Sequence, residues 1–413
     1  MILLAAFKNT VFVLLLSLIA CGRGSEKKQP SHVPETGGAD SVLLVAANRT
    51  DLYFPLLEGK EFALVANQTS VIFTPAGEPG RPWVHLADSL LGAGLALRKV
   101  FAPEHGFRGQ VDAGEKVTDG VDPRTGLPVL SLYGANRKPA QEQLQGLDLV
   151  VFDIQDVGVR FYTYIATLQL VMEACAEAGI PVLVLDRPNP NAHFVDGPVM
   201  EKEHTGFLGM TEIPLVYGMT IGEYARMING EGWLEGGQKA DLTVIPLQGY
   251  QRDQPYVLPI PPSPNLPNAQ AVGLYPSLGL FEGTHINAGR GTTHQFQCFG
   301  APFLSESHFD FNYTPESKPG AQNPKHKNVN CYGMDLRRIP PPDRVDLQWL
   351  LEAFAHRKAD SPFFKTEGFT RHAGTAVLQQ QIESGMTHQQ IRESWAGKLQ
   401  AFKTIRARYL TYD

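Results

Sequence analysis

Short apolar runs alternate with amphipathic helical patterns from about residue 41 to residue 250. The apolar runs contain few polar residues, which is typical of strands buried on both faces of a sheet. Strands are predicted at residues 62–66, 97–101, 128–132, 148–154, 181–185 and 242–245. Helices are predicted at residues 83–91, 139–144, 162–178 and 220–229. This alternation predicts an α/β fold with a Rossmann-like, mostly parallel sheet that helices cover on both faces.

One of these helices carries a clear start signal. Thr220 precedes its first apolar position and Glu223 follows three residues later, which is the spacing of a capping box.

A second part of the chain begins after about residue 250. Six prolines crowd residues 255–267, a density that excludes helices and central strands and predicts an extended crossing segment. Residues 305–345 are polar and predict loops, whereas 345–357 and 387–409 have helical periodicity. We therefore predict a Rossmann-like catalytic domain at 41–250 and a smaller C-terminal α/β domain at 251–413.

The first residues predict export. Lys8 precedes the apolar run 11–20, which is about half the length needed to span a bilayer. The run ends in Leu18-Ile-Ala-Cys21, which resembles a bacterial lipobox in which the cysteine is lipidated. We predict a lipoprotein signal peptide at 1–20, lipid on Cys21 and a flexible tether at 21–40. The body would then be anchored to a bacterial membrane, on its periplasmic or outer-membrane side.

Composition narrows the classes of function. The net charge of −6 argues against a nucleic-acid partner, because proteins that bind polyanions carry a basic excess. No spacing of Cys and His predicts a zinc site, and the glycine-rich phosphate motifs of dinucleotide and P-loop proteins are absent. Gly-x-Ser-x-Gly is also absent, which disfavours a serine-nucleophile hydrolase.

Polar side chains follow several predicted strands at the point where each strand ends. Carboxylates, arginines, amides and glycines follow the strands at 97–101, 148–154 and 181–185. Since ligands of an open parallel sheet bind at the carboxyl ends of its strands, these residues predict a binding site on one rim.

Glu104 is the first candidate for chemistry, because a carboxyl held in a tight loop between Pro103 and His105-Gly106 can serve as a general acid. A second carboxylate across a cleft would suit glycoside hydrolysis. Asp153 and Asp156 on a metal would instead suit phosphoester hydrolysis. Asp156 with Arg160 would also serve as a structural ion pair.

Ten short motifs occur in a fixed order along the chain. They are FAPEHGFRG (101–109), DAGE (112–115), TGLPV (125–129), SLYG (131–134), VFDIQDVGVRFYTY (151–164), LDRPNP (185–190), YGMTIGE (217–223), PSPN (262–265), FEGT (281–284) and GRGT (289–292). Together they resemble the exo-β-N-acetylmuramidase family (NamZ type), long catalogued as a domain of unknown function.

The resemblance implies two α/β domains with the active site in the cleft between them. It implies release of N-acetylmuramic acid from the non-reducing end of peptidoglycan fragments in cell-wall turnover, with no cofactor and no metal. Glu104 matches the glutamate of the family's catalytic acid/base. Asp153 and Glu282 are the expected second carboxylates, with Glu173 the weakest alternative because it lies in mid-helix.

Other polar side chains in the matched motifs are expected to bind the substrate: His105, Arg160, Tyr162, Asp186, Arg187, Asn189 and Arg290. Arg160 is the first choice for the lactyl carboxylate that distinguishes N-acetylmuramic acid from N-acetylglucosamine, and Arg290 is the second. Two other classes stay open, a non-catalytic sugar-binding lipoprotein and a metal-dependent phosphoesterase.

Overall fold

The computed structural model describes residues 42–74, 82–109 and 119–413. The predicted signal peptide, Cys21, the tether and the motif at 112–115 lie outside these residues.

The described strands and helices follow one another along the chain with few long gaps. The strands are β1 (Phe62–Ala66), β2 (Val71–Phe73), β3 (Trp83–His85), β4 (Leu97–Ala102), β5 (Gly120–Val121), β6 (Pro128–Ser131), β7 (Leu149–Asp153), β8 (Val182–Leu185), β9 (Asp196–Val199), β10 (Pro214–Val216), β11 (Leu242–Ile245), β12 (Cys298–Ala301), β13 (Phe311–Tyr313) and β14 (Cys331–Asp335). The helices are α1 (Thr50–Leu57), α2 (Leu86–Gly92), α3 (Gln141–Leu144), α4 (Tyr164–Ala178), α5 (Ile221–Gly230), α6 (Ala269–Leu278), α7 (Gln348–Ala355), α8 (Thr366–Ala373), α9 (Val377–Glu383) and α10 (His388–Arg406).

A seven-stranded sheet forms the centre of the N-terminal part, in the order β11-β8-β7-β1-β4-β6-β5. Every neighbouring pair in it is parallel except β5 and β6 at the edge. The predicted Rossmann-like, mostly parallel sheet is therefore confirmed.

The strands of this sheet feed two separate hydrophobic cores. In β1, Ala63 and Val65 face the core that contains α4 and α5, whereas Phe62, Leu64 and Ala66 face the core that contains α1 and α2. Because side chains alternate between the faces of a strand, a continuous apolar run supplies both cores at once.

The predicted start of α5 is also confirmed. The Thr220 side chain accepts a hydrogen bond from the Glu223 amide at 3.2 Å, and the Thr220 amide donates to Glu223 Oε2 at 2.9 Å.

One predicted helix starts later than expected. Residues Trp83–His85 form β3 and pair with β2, and the helix begins only at Leu86. The His85 ring accepts a hydrogen bond from the Ala87 amide at 3.2 Å, so His85 caps the helix rather than joining it.

The smaller C-terminal domain contains a three-stranded antiparallel sheet in the order β12-β14-β13. Two of its strands lie within 305–345, where the sequence predicted only loops. They are only three and five residues long, too short for a periodic apolar pattern to be recognised. The predicted division at residue 250 falls in an irregular segment between β11 and α6.

The last helix packs on the body as predicted. Ile391, Trp395, Leu399 and Phe402 of α10 are buried and lie on one face at helical spacing.

Candidate active site

A cleft of about 600 Å³ opens at the carboxyl ends of β4 and β6. The N-terminal part contributes Glu104, which follows β4, and Tyr133, which follows β6. The C-terminal part contributes Glu282 from a short 3-10 helix at Gly279–Gly283 and Arg290 from the loop beyond it. Further lining residues are His105, Arg137, Phe161, Tyr162, Thr163, Tyr164, His204, Thr205, Gly206, Phe207, Leu208, Ser263, Asn265, Leu266, Tyr275, Phe296, Arg371 and His372.

Glu104 lies in a tight turn. The Gly106 amide donates to the Pro103 carbonyl at 3.0 Å, and His105 has a φ of 71°, in the left-handed region that non-glycine residues seldom adopt. The buried His105 ring forms a hydrogen bond with Ser263 Oγ at 3.2 Å. The second part of the chain therefore holds the turn that presents Glu104.

Tyr133 contacts the Glu104 carboxyl directly. Its hydroxyl donates a hydrogen bond to Glu104 Oε1 at 2.9 Å. Burial, with the charge of Glu104, raises the pKa of Tyr133 to about 12, so the phenol keeps its proton and stays a donor. Tyr133 thus fixes the direction in which the Glu104 carboxyl points.

Glu282 has a different environment. Its Oε2 accepts a hydrogen bond from Arg290 Nη1 at 2.9 Å, and Lys325 Nζ donates to the Glu282 carbonyl at 3.1 Å. Burial alone would raise the pKa of Glu282, but the positive charges of Arg290, Lys325 and His372 together lower that pKa to about 2. Glu282 is therefore ionised at physiological pH and has no proton to give.

Aromatic rings line the cleft between the two carboxyls. Tyr275 packs edge-to-face against Phe161 and Phe296, with ring centroids 5.2 and 4.8 Å apart. Burial and then the charges of Glu282 and Glu104 raise the pKa of Tyr275, so this ring lies in the field of both carboxylates. A site of this kind offers an apolar surface flanked by charges, which suits a sugar ring.

Of the residues predicted from the sequence, five line the cleft: Glu104, His105, Tyr162, Glu282 and Arg290. Tyr162 donates from its hydroxyl to the Pro262 carbonyl at 2.8 Å. The catalytic and binding roles of these five residues stay predictions.

Asp153 and Arg187 are placed differently from the prediction. They form a fully buried bidentate ion pair, with Arg187 Nε at 2.5 Å from Asp153 Oδ1 and Nη2 at 2.8 Å from Oδ2. Arg187 also donates to the Val71 carbonyl at 3.1 Å. Each charge is neutralised by the other beneath the strand ends, so neither side chain faces the cleft.

Arg160 is likewise outside the cleft and completely buried. Its Nη1 donates to the carbonyls of Pro198 and Ile213 at 2.9 and 3.0 Å, and its Nη2 donates to the His372 carbonyl at 2.9 Å. Burial lowers the pKa of Arg160 to about 9. Arg160 is therefore a structural brace, and its partners are backbone carbonyls rather than Asp156.

Asp186 and Asn189 also serve the structure beneath the cleft. Asp186 accepts hydrogen bonds from the Gly222 amide at 2.8 Å and from Thr220 Oγ1 at 2.8 Å. Asn189 donates to the Met219 carbonyl at 2.8 Å. Both side chains are buried, because the loops after β8 fold inward onto the start of α5 rather than outward.

The remaining candidate carboxylates lie elsewhere. Asp156 accepts from the Tyr217 hydroxyl and from the Gly158 amide, and Glu173 accepts from Gln169 Nε2 at 3.0 Å. With Asp153 engaged by Arg187, the proposed pairing of Asp153 and Asp156 on a metal has no geometric support.

In the described part of the chain, a different group could hold a metal ion, namely Glu201, Glu203 and His204. Glu203 is exposed, and Lys398 Nζ already lies 2.8 Å from Glu201. This group is not the metal site that the sequence suggested.

Sequence reasoning missed several residues of the cleft as site residues. Tyr133 follows the predicted strand at 128–132, so its place on the rim was predictable, whereas its contact with Glu104 was not. Arg137, Tyr275 and His372 carry no comparable signal, because loops and distant helices bring them to the cleft.

Comparisons with known proteins agree along the whole body of the chain. Residues 62–270 match the family model described as exo-beta-N-acetylmuramidase NamZ, N-terminal, and residues 273–412 match its C-terminal counterpart. The chain is 35% identical to the peptidoglycan beta-N-acetylmuramidase NamZ of Bacillus subtilis, over 98% of this chain and 100% of that protein.

Two crystal structures of DUF1343 family proteins from Bacteroides fragilis are similar to this fold. One has a TM-score of 0.80 and 39% identity, and the other a TM-score of 0.75 and 27% identity. Each alignment covers 90% of this chain and 99% of the other.

Proposed function

The chain belongs to the NamZ family of exo-β-N-acetylmuramidases, and we propose that Glu104 is the general acid with which it releases N-acetylmuramic acid from peptidoglycan fragments. The predicted family is confirmed, and with it the reaction class: the protein is a glycoside hydrolase that acts at the non-reducing end. The observation that carries the role of Glu104 is its placement in the cleft, oriented by Tyr133, together with a second carboxylate that stays ionised.

The reaction needs a proton on the leaving oxygen as the bond to the anomeric carbon breaks. Glu104 gives this proton to the oxygen of the departing sugar. A water molecule then adds its oxygen to the anomeric carbon, and one proton of this water is transferred to Glu104. The sum of these steps is hydrolysis, with Glu104 regenerated.

Glu282 supports the positive charge that develops on the sugar ring. It is suited to this because Arg290, Lys325 and His372 keep its pKa low, against the effect of burial, and leave it anionic. A fixed negative charge beside an oxocarbenium-like transition state stabilises it without reorganisation at the moment of reaction. The two carboxyls thus differ in role because their neighbours differ.

The proposal is tested with a chromogenic β-N-acetylmuramide. Glu104→Gln keeps the shape of the side chain and removes the proton, so we expect kcat to fall by roughly 10²- to 10⁴-fold, the usual contribution of general acid catalysis. Glu58→Gln, an exposed residue after α1, is the matched control and should keep parental activity. Activity of Glu104→Gln within a few-fold of the parent would exclude the role.

The same assay separates the alternatives. A sugar-binding lipoprotein would bind the muramide without turnover, and a metal-dependent phosphoesterase would lose its activity to a chelator. Turnover that a chelator leaves unchanged supports the glycosidase.

We also propose export and lipid attachment at Cys21. This rests on the apolar run at 11–20 and on the Leu-Ile-Ala-Cys sequence that ends it. None of the helices in the described ranges is long and apolar enough to cross a membrane. The test is fractionation: the parent should partition with membranes and Cys21→Ser should not. A Cys21→Ser protein that remains in the membrane fraction would contradict the anchor.

A further inference from the structure

A muramidase must recognise the lactyl ether of its substrate. This group carries a carboxylate that N-acetylglucosamine lacks, so a cation placed to bind it would make the site selective. This requirement rests on the proposed function.

Neither arginine expected from the sequence is available for this task. Arg160 is buried and bound to three backbone carbonyls. Arg290 lines the cleft, but Glu282 accepts from its Nη1 and the Gly320 carbonyl accepts from its Nη2 at 3.0 Å. If Arg290 instead paired with a substrate carboxylate, its charge would no longer act on Glu282 alone, and the pKa of Glu282 would rise.

Two further arginines line the cleft, and they differ in their partners. Arg371 forms an ion pair with Glu367 one helical turn away in α8. Arg137 forms no ion pair with any carboxylate of residues 42–74, 82–109 and 119–413. Its charge is therefore not neutralised by the described part of the protein.

Arg137 is nevertheless held in place. Its guanidinium carbon lies 4.3 Å from the centroid of the Phe207 ring, which also lines the cleft. Stacking on an aromatic face leaves the N–H groups of a guanidinium in the plane of the stack and directed outward. A planar carboxylate can then accept two parallel hydrogen bonds.

The segment that carries Phe207 forms a hydrogen-bonded turn. Gly206 and Gly209 exchange backbone hydrogen bonds of 3.0 and 2.8 Å, which closes a two-residue turn around Phe207 and Leu208. Gly209 packs on the buried Arg160, where a Cβ atom would approach Arg160 Cδ to 2.9 Å. Arg160 thus supports the turn from below.

Arg137 is also close to the reacting centre. Burial and the charge of Glu104 raise the pKa of Tyr133, and Arg137 and Arg290 both act on the same pKa in the opposite direction. Arg137 therefore lies near the Tyr133 hydroxyl that orients Glu104. A sugar whose glycosidic oxygen meets Glu104 would therefore lie in the cleft that Arg137 also lines.

We propose that Arg137, stacked on Phe207, binds the lactyl carboxylate of the muramyl unit and makes the enzyme selective for muramides over glucosaminides. Exposure of the residue at the mouth of the cleft fits a substituent that projects from the sugar ring.

The test compares a chromogenic β-N-acetylmuramide with its lactyl methyl ester, which lacks the negative charge and carries one additional methyl group. Arg137→Met keeps the apolar stem on Phe207 and removes the donors. We expect kcat/KM for the free acid to fall by about 10- to 100-fold, as for loss of a charge-assisted hydrogen bond, and kcat/KM for the ester to change less than about 3-fold. An equal loss on acid and ester would overturn the proposal.

Two further variants sharpen the result. Arg338→Met removes an exposed arginine outside the cleft and should leave both substrates unaffected. A selective loss on the acid in Arg371→Met, with none in Arg137→Met, would overturn the proposal and assign the carboxylate to Arg371.

Failure of the proposed function is visible separately. If the parent protein hydrolyses no muramide, the general-acid proposal fails, and calorimetric binding of free N-acetylmuramic acid and its methyl ester still tests Arg137. Weaker binding of the acid alone in Arg137→Met supports the role of Arg137, and unchanged binding of both overturns it.

Discussion

Glu282 receives a hydrogen bond from Arg290 and lies in the field of Lys325 and His372, whereas Glu104 receives its hydrogen bond from the neutral hydroxyl of Tyr133. The two side chains have the same kind of carboxyl group. Cationic neighbours hold Glu282 as an anion, and the hydroxyl of Tyr133 orients Glu104. At the scale of single residues, the charge state of Glu282 is thus a matter of which side chains stand next to its carboxyl.

This arrangement predicts a pH effect for Arg290→Met. Burial raises the pKa of Glu282 and the charge of Arg290 lowers it, so without Arg290 this pKa rises from about 2 toward the pH range in which the enzyme is assayed. A carboxyl must lose its proton to act as an anion, and activity that needs anionic Glu282 is therefore lost as pH falls through the raised pKa. We expect the acidic limb of the pH profile of kcat to move to higher pH by at least about one unit.

The measurement is kcat against pH between 4 and 8 for the parent, Arg290→Met and the exposed-arginine control Arg338→Met. The control should follow the parent. If Arg290→Met loses the same factor at every pH, Arg290 positions the substrate or Glu282 and does not set its charge.

At the scale of elements, the proline-rich segment 255–267 connects the two parts of the chain and holds the turn that presents Glu104. Gln68 Nε2 donates to the Pro262 carbonyl at 3.1 Å, the Tyr162 hydroxyl donates to the same carbonyl, and Ser263 Oγ bonds the His105 ring. Proline fixes φ and lowers the entropy lost on folding, so such a segment is a stiff support without regular structure.

Ser263→Ala tests this support. The substitution removes the hydrogen bond between Ser263 and the His105 ring, and so weakens the support of the turn that presents Glu104, in which His105 has a left-handed φ. A single hydrogen bond of about 1 kcal/mol corresponds to roughly a 5-fold effect, and we expect a loss of that order in kcat with KM little changed. Ser317→Ala, an exposed serine, is the matched control. A change confined to KM would show that Ser263 contacts the substrate instead.

At the scale of the whole molecule, Arg160 joins distant parts of the chain. One guanidinium donates to Pro198 and Ile213 in the N-terminal part and to His372 at the end of α8. Gly374 packs against it, where a Cβ atom would come within 2.6 Å of Arg160 Nη2. The residue therefore connects the two sides of the cleft from beneath.

Arg160→Met should accordingly act on stability rather than on selectivity. The three carbonyls lose their donor, and each unsatisfied buried group costs about 1–3 kcal/mol, so we expect the free energy of unfolding to fall by about 2–4 kcal/mol. Denaturant unfolding measures this, with Arg338→Met as the control. If the variant has normal stability and loses activity on the free acid but not on its ester, Arg160 rather than Arg137 binds the lactyl carboxylate.

The parallel sheet was predictable because its signal is local. Continuous apolar runs such as 62–66 and 181–185 become strands buried on both faces, and the Thr220–Glu223 capping box fixes the start of a helix within four residues. The three-stranded sheet of the C-terminal domain escaped prediction, because its short strands are defined by pairing partners far along the chain.

The sequence by itself determined the family, the sheet and the position of Glu104 just past a strand, since motifs and periodicity are properties of neighbouring residues. Only the tertiary structure decided which charged side chains face the cleft. Asp153, Arg187 and Arg160 lie in the motifs that were expected to form the site, yet each is bound by a partner 34 or more residues away and turns inward. Arg137 lies in a loop without a distinctive pattern and faces the cleft, stacked on Phe207. The physical reason is that a buried charge must pair with a group that the fold brings within hydrogen-bond distance. That partner is distant in the sequence, so the neighbouring residues do not identify it.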